Sequence, residues 1–221
     1  MLNIVDEDDD FIVLDKPSGL LSVPGRGPDK ADCLSARVQA VRPGALVVHR
    51  LDMDTSGLLI MAKTPQAQSA LSKSFAQRLT HKRYSALVWG RPQAQSEDWQ
   101  VIDLPLIIDW PNRPKNKVCW EEGRPSTTRW RIANPSENAS LEVPPHTRLD
   151  LEPITGRSHQ LRVHLLSLGH PILGDTLYGQ DFEGSDAVAR AAPRLMLHAA
   201  YLSLPHPTKG TPMEWTSPPP F

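Results

Sequence analysis

The chain has 221 residues, is 39% hydrophobic and 22% charged, and carries a formal net charge of −1 at pH 7. Such values suit one globular domain, or one domain with two lobes, with a sizeable core, and argue against a general polyanion binder. Cys33 and Cys119 are too few and too isolated for a disulfide framework or a zinc site, no apolar run reaches a membrane span, and the acidic first ten residues are no signal peptide, so the reducing cytoplasm is the expected compartment.

In chain order, Asp10 to Asp15 reads as a strand, ended by Lys16-Pro17-Ser18-Gly19, where Pro removes a donor and Gly permits a turn. Residues 33–41 place Leu34, Val38 and Val41 at helical spacing, closed by Pro43-Gly44. VVHRLDMDTSGLLIMAKT (47–64) reads as strand, turn, strand, with the break at Asp54-Thr55-Ser56-Gly57. Residues 65–79 predict a helix with Pro65 at its first position and an apolar stripe of Ala67, Ala70, Leu71, Phe75 and Leu79.

Tyr84 to Trp89 predicts a strand, and 91–125 a proline-rich surface excursion, partly strand. Thr127 to Ile132 and Arg148 to Ile154 are two further strands, with a loop over 134–146. Residues 157–168 predict a helix capped by Gly169, Leu195 to Leu204 a last strand, and the proline-rich end a stiff, fraying tail. Strands outnumber helices and few strand–helix–strand repeats occur, which points to an α+β fold with a largely antiparallel sheet. Charge is uneven: Asp6 to Asp10 is an acidic run, while Arg113, Lys115, Lys117, Arg124, Arg129 and Arg131 form a basic stretch.

The 47–64 segment holds the strongest functional signal. Strand alternation would put Arg50 and Asp52 on one face and His49 and Leu51 on the other. A carboxylate beside a guanidinium at the mouth of a turn suggests a site, although a strand-end ion pair would look the same.

HRLDMDTSG (49–57) resembles the HRLDxxTSG signature of the RluA family of pseudouridine synthases. LDKPSGLLSVPG (14–25), KRYSALVWG (82–90) and PITGRSHQLRVHLLSLGHPILGDTLYG (153–179) resemble the other motifs of that family. IDLPLIIDWPNRPKNKV (102–118) is similar to the family member that acts on both 23S ribosomal RNA and transfer RNA. The resemblance implies a mixed, mostly antiparallel, bent sheet flanked by helices, with a catalytic cleft across it. It implies one catalytic domain over 1–221, with no accessory RNA-binding domain before it. It also implies isomerisation of uridine to pseudouridine in 23S ribosomal RNA and transfer RNA anticodon stem-loops, without cofactor or metal, by a monomer with no obligate protein partner.

The same resemblance assigns roles. Asp52 becomes the essential aspartate, suited as nucleophile or electrostatic partner for an electron-poor sugar or ring. Arg162 becomes the arginine that pairs with it, keeping the carboxylate ionised and aimed. Tyr84 becomes the residue that stacks on the base and assists loss of the proton from carbon 5. Arg50 becomes the group that enters the space left by an extruded uridine. Their plain structural readings are a solvated helix charge for Arg162 and a half-buried strand residue for Tyr84.

Two other functions stay open on the residues. The basic, aromatic stretch from Trp110 to Trp130 would suit a non-catalytic RNA-binding module. Asp52-Met53-Asp54 mimics the paired carboxylates of metal-dependent glycosyl or nucleotide transferases. His159 and His164 lie about 140° apart around a helix and do not form a metal pair.

Overall fold

The computed structural model describes residues 2–27, 30–94, 98–133, 145–182 and 185–221. In chain order the elements are β1 (Ile4–Glu7), β2 (Phe11–Lys16), α1 (Leu34–Val41), β3 (Leu46–Val47), β4 (Ser56–Ala62), α2 (Pro65–Ala76), β5 (His81–Trp89), β6 (Gln100–Asp103), β7 (Leu106–Ile108), β8 (Asn116–Val118), β9 (Thr127–Ile132), β10 (His146–Pro153), α3 (Gln160–Ser167), α4 (Ser185–Arg190), β11 (Leu197–Pro205) and β12 (Pro212–Thr216). The chain divides into two compact units, Met1–Lys82 with His198–Phe221, and Arg83–Leu197.

In the first unit β4 is the centre. Its seven residues are all buried, and it pairs antiparallel with β2 from Gly57↔Lys16 to Ala62↔Phe11. β1 extends β2 antiparallel. On the other edge of β4, β3 pairs antiparallel at Met61 and Ala62, while β11 pairs parallel at Ser56 and Gly57. β12 closes on β11. Phe11, Val13, Leu58, Ile60, Ala67, Leu71 and Leu202 form the core under α2. Thr64 caps α2, its hydroxyl accepting from the Ala67 N–H at 3.1 Å.

Two expectations are corrected here, and the acidic run acquires a structure. The helix from Pro65 stops at Ala76 rather than Leu79: Arg78 takes a left-handed φ of 59°, which carries Leu79 out of the apolar stripe and leaves it 48% exposed. The proline-rich end contains β12, so it is a paired strand before it becomes a tail. The acidic run is β1 and a tied turn: Glu7 bonds Arg42 and Lys63, and Asp8 bonds His206.

In the second unit β5, β10, β9 and β6 form an antiparallel sheet in that order. α3 covers one face, burying Leu161 and Leu165 against Ala86, Trp130, Leu149 and Leu151. The surface excursion contains the β7–β8 hairpin. Most of the 134–146 loop lies outside the described residues; its last residue, His146, opens β10. Across both units every strand pair named is antiparallel except β4–β11, which gives the mixed, mostly antiparallel sheet structure of an α+β fold.

Candidate active site

The loop that carries Arg50 and Asp52 leaves the strand early. β3 ends at Val47, so His49 to Asp52 are not strand residues as the alternation implied. The cause is His49. Its Nε2 accepts the N–H of Ile60 at 3.1 Å, replacing the carbonyl a continuing strand would offer. Its ring stacks on Phe75 of α2, centroids 4.4 Å apart. Burial, and secondarily the charge of Lys82, pushes the His49 pKa down to about 3, so the ring stays neutral and keeps Nε2 as an acceptor. Leu51 is also buried. Ser22 clamps its main chain, accepting from the Leu51 N–H at 3.1 Å and donating to its carbonyl at 2.6 Å. With those two inward, Arg50 is exposed and Asp52 half-buried.

The most consequential group was read only as part of a turn. Lys16 is 0% exposed. Its Nζ donates to the carbonyls of Pro17 at 2.9 Å, Leu20 at 2.7 Å and Met53 at 2.8 Å. One ammonium therefore fastens the KPSG turn to the residue after Asp52. The Gly19 N–H adds a second bond to the Met53 carbonyl at 3.0 Å, and the Ser18 hydroxyl donates to the Asp54 carbonyl at 2.7 Å. Burial lowers the Lys16 pKa to about 8, opposed by the negative charges of Asp54 and Asp52. The fixed cation thus interacts electrostatically with both carboxylates.

That arrangement bears on the metal reading. Among the described residues, the three-donor group that could hold a metal is Asp8, Asp10 and His206, which includes neither Asp52 nor Asp54.

The turn closes on Gly57, whose φ is +110° and whose added Cβ would lie 2.4 Å from the Ala199 carbonyl oxygen. Only glycine permits the parallel β4–β11 approach there. Beside it the Ser56 hydroxyl bonds His198 Nδ1 at 2.9 Å, and His198 Nε2 lies 3.0 Å from the Ser217 hydroxyl.

In the second unit Arg162 lies on α3 and is 4% exposed, so it is not a solvated helix charge. Its Nε and Nη2 donate to the two oxygens of Asp175 at 2.8 and 2.7 Å. Asp175 Oδ1 also accepts the N–H groups of Leu177 and Tyr178 at 3.0 and 2.9 Å. The Arg162 guanidinium lies over the Tyr178 ring, 4.9 Å from its centroid. Burial raises the Tyr178 pKa to about 12; its hydroxyl accepts from the Asn116 N–H at 2.7 Å and meets His159 Nδ1 at 2.8 Å.

The helix begins at Gln160, three residues later than the sequence pattern suggests, because His159 takes a left-handed φ of 55°. Gln160 then locks the start. Its amide donates to the Thr127 carbonyl at 2.9 Å and to the Thr128 hydroxyl at 3.0 Å, and its oxygen accepts from the Thr155 hydroxyl at 2.7 Å. His164 is buried, bonded to the Thr128 hydroxyl at 2.9 Å and the Leu104 carbonyl at 3.1 Å. His159, just before α3, and His164 within it are thus both engaged within the unit.

Tyr84 lies on β5 opposite Leu151, which is opposite Trp130. Directly paired residues share a sheet face, so Tyr84 is on the face that α3 covers and packs against that core. The structure therefore places Tyr84 and Arg162 in one unit and Arg50 and Asp52 in the other. Sequence reasoning missed Lys16, Gln160, Asp175 and Tyr178. Lys16 gave a weak signal, as a lysine closing an otherwise apolar strand; Asp175 and Tyr178 lay inside the 153–179 motif but carried no assigned role.

The chain is similar to known proteins along most of its length. A family described as RNA pseudouridylate synthase matches residues 10–167. The chain is 52% identical over 204 residues to the dual-specificity RNA pseudouridine synthase RluA of Vibrio vulnificus, covering 92% of this chain and 78% of the relative. It is 46% identical over 220 residues to the protein of the same name from Escherichia coli K12, covering 100% and 94%. Human RNA pseudouridylate synthase domain containing 1 superposes with a TM-score of 0.77 at 31% identity, covering 100% of this chain and 84% of that one. Human RNA pseudouridylate synthase domain containing 4 shares the fold, with a TM-score of 0.72 at 24% identity. With the match spanning most of its length, the chain belongs to the RNA pseudouridylate synthase family.

Proposed function

We propose that this chain isomerises selected uridines to pseudouridine in 23S ribosomal RNA and in transfer RNA anticodon stem-loops, with Asp52 as the essential carboxylate. It is an RNA pseudouridine synthase, an isomerase; the two RNA substrates and the residue roles are our reading. The reaction breaks the bond between ribose carbon 1′ and uracil nitrogen 1, turns the base, forms a bond from carbon 1′ to carbon 5, and exchanges the carbon 5 proton lost for one gained at nitrogen 1. Atoms balance without an oxidant or net water, so the reading requires no cofactor.

In this reading Asp52 acts on the sugar or ring while the scissile bond opens, and Arg162 pairs with it to aim it. Tyr84 stacks on the base and helps remove the carbon 5 proton; a tyrosine's ordinary pKa near 10 makes assistance necessary. Arg50 enters the stack where the uridine left it. The same reading has a single catalytic domain acting as a monomer in the cytoplasm. No helix among the described residues is long and apolar enough to cross a membrane.

The observation that supports it best is the clamp on the Asp52 loop, where Lys16 and Ser22 hold the flanking backbone at Met53 and Leu51. Such bonds pre-position a reacting group. The test is incubation of the purified chain with unmodified 23S ribosomal RNA and transfer RNA transcripts, followed by detection of pseudouridine. Pseudouridine at discrete positions in both supports the reading, and its absence from both overturns it.

A further inference from the structure

The tip of the β7–β8 hairpin presents a side chain that the site above does not use. Trp110 is 63% exposed, and the guanidinium of Arg113 lies flat enough over its ring to bring Cζ within 3.2 Å of the centroid. The loop beneath is tightly tied. The Asp109 N–H donates to the Lys115 carbonyl at 2.9 Å, and the N–H groups of Asn112 and Lys115 donate to the carbonyls of Asp109 and Asn112 at 3.0 Å each. The Asn112 amide donates to the Asp109 carboxylate at 2.8 Å. Lys117 pairs with Asp109 at 3.1 Å, and Lys115 with Asp181 at 2.7 Å.

Water would favour burying such a ring. Here the loop bonds hold it outward instead, with a cation on one face. Trp120 is also exposed, at 72%, but Glu121 and Glu122 follow it, a poor setting for a polyanion. At the hairpin tip the lysines are engaged with carboxylates, while Arg113 is engaged with the aromatic ring. The chemistry of that pair suits an unpaired nucleobase: indole and guanidinium planes both stack on bases, and the arginine charge complements the adjoining phosphates.

We propose that Trp110 and Arg113 form a stacking platform for an unpaired nucleobase of the RNA substrate, outside the residues assigned to the isomerisation. This rests on the RNA pseudouridine synthase reading and adds a second point of contact to it. Because stacking tolerates any base, the platform contributes affinity and orientation rather than sequence choice.

The test compares dissociation constants of the full chain for two RNAs, a transfer RNA transcript with unpaired loop bases and a blunt RNA duplex, at several salt concentrations. Trp110→Ala should weaken binding to the transcript by roughly tenfold with the salt slope unchanged, since stacking neutralises no phosphate. Trp110→Phe should recover most of that loss. Arg113→Lys keeps the charge but not the plane, and should weaken the transcript alone. The blunt duplex should bind wild type and Trp110→Ala alike. A Trp110→Ala constant within twofold of wild type on the transcript overturns the proposal, as does an equal loss on both RNAs. So does a finding that Trp110→Ala instead abolishes self-association of the chain in sedimentation. Pseudouridine formation by wild type is scored separately: its absence removes the functional reading, whereas normal formation with unaltered Trp110→Ala binding removes only the platform.

Discussion

The side-chain nitrogen of Lys16 and the main-chain carbonyl of Met53 are 2.8 Å apart, joining a turn near the start of the chain to the residue that follows Asp52. Two more carbonyls complete the ammonium's shell, and the group is fully buried. Lys16 is therefore a positioning residue acting through the backbone. Replacing it by Met should take a donor from three carbonyls, of which that of Met53 keeps the Gly19 N–H, and lower stability by about 3 kcal/mol. Single-turnover isomerisation should fall by about 100-fold, as small misplacements of reacting groups do. Urea unfolding and single-turnover rates check this, with Lys16→Arg as the variant that retains charge. A Lys16→Met chain with wild-type rate would show that the loop keeps its form without the clamp.

Asp175 holds Arg162 by a buried two-point ion pair. Breaking it by Asp175→Ala removes both of these acceptors from a buried guanidinium, which should cost about 3–5 kcal/mol. Chemical denaturation measures it. A loss under about 1 kcal/mol, within the range of exposed pairs, would mean the arginine readily finds another partner.

His49 predicts acid sensitivity. Its pKa is held down to about 3 by burial, against an ordinary value near 6.5 in the unfolded chain. The unfolded state binds more protons between those values, so stability falls as pH drops through that window and this contribution is complete above pH 6.5. From pH 6.5 to pH 5 the loss should be about 2 kcal/mol. His49→Gln, which retains an acceptor for the Ile60 N–H, should show a shallower decline in urea midpoints over that range. Parallel declines would remove His49 as the cause.

If Arg50 fills the gap left by a flipped uridine, its worth depends on how well that uridine was stacked. Arg50→Ala should slow a structured stem-loop strongly and an open RNA much less. A phosphate contact would instead weaken both and lower the salt slope by about one. Equal rate losses on the two RNAs would sink the flipping role.

Much of this was legible in the chain, for reasons particular elements make plain. The β4 strand and the α2 stripe are local patterns, and local patterns set these elements to within a few residues. The HRLD motif marked the segment that carries Asp52 but read it as strand, because one side chain, His49, takes over a ladder bond from Ile60. β12 was hidden by prolines that sit at its start and beyond its end. The clamps on the site were least legible. Lys16 reaches Met53 across 37 positions, and Gln160 reaches Thr128 across 32. No window of sequence shows such partners.

The claim on which the rest depends is that Asp52 performs the chemistry rather than the binding. The direct measurement is pseudouridine formed by Asp52→Asn and Asp52→Ala on a transfer RNA transcript at saturating enzyme, with the dissociation constant taken on the same samples. Both variants should form none while binding stays within about tenfold, or roughly 1.4 kcal/mol, of wild type. Pseudouridine formation by Asp52→Ala close to the wild-type rate would contradict the account.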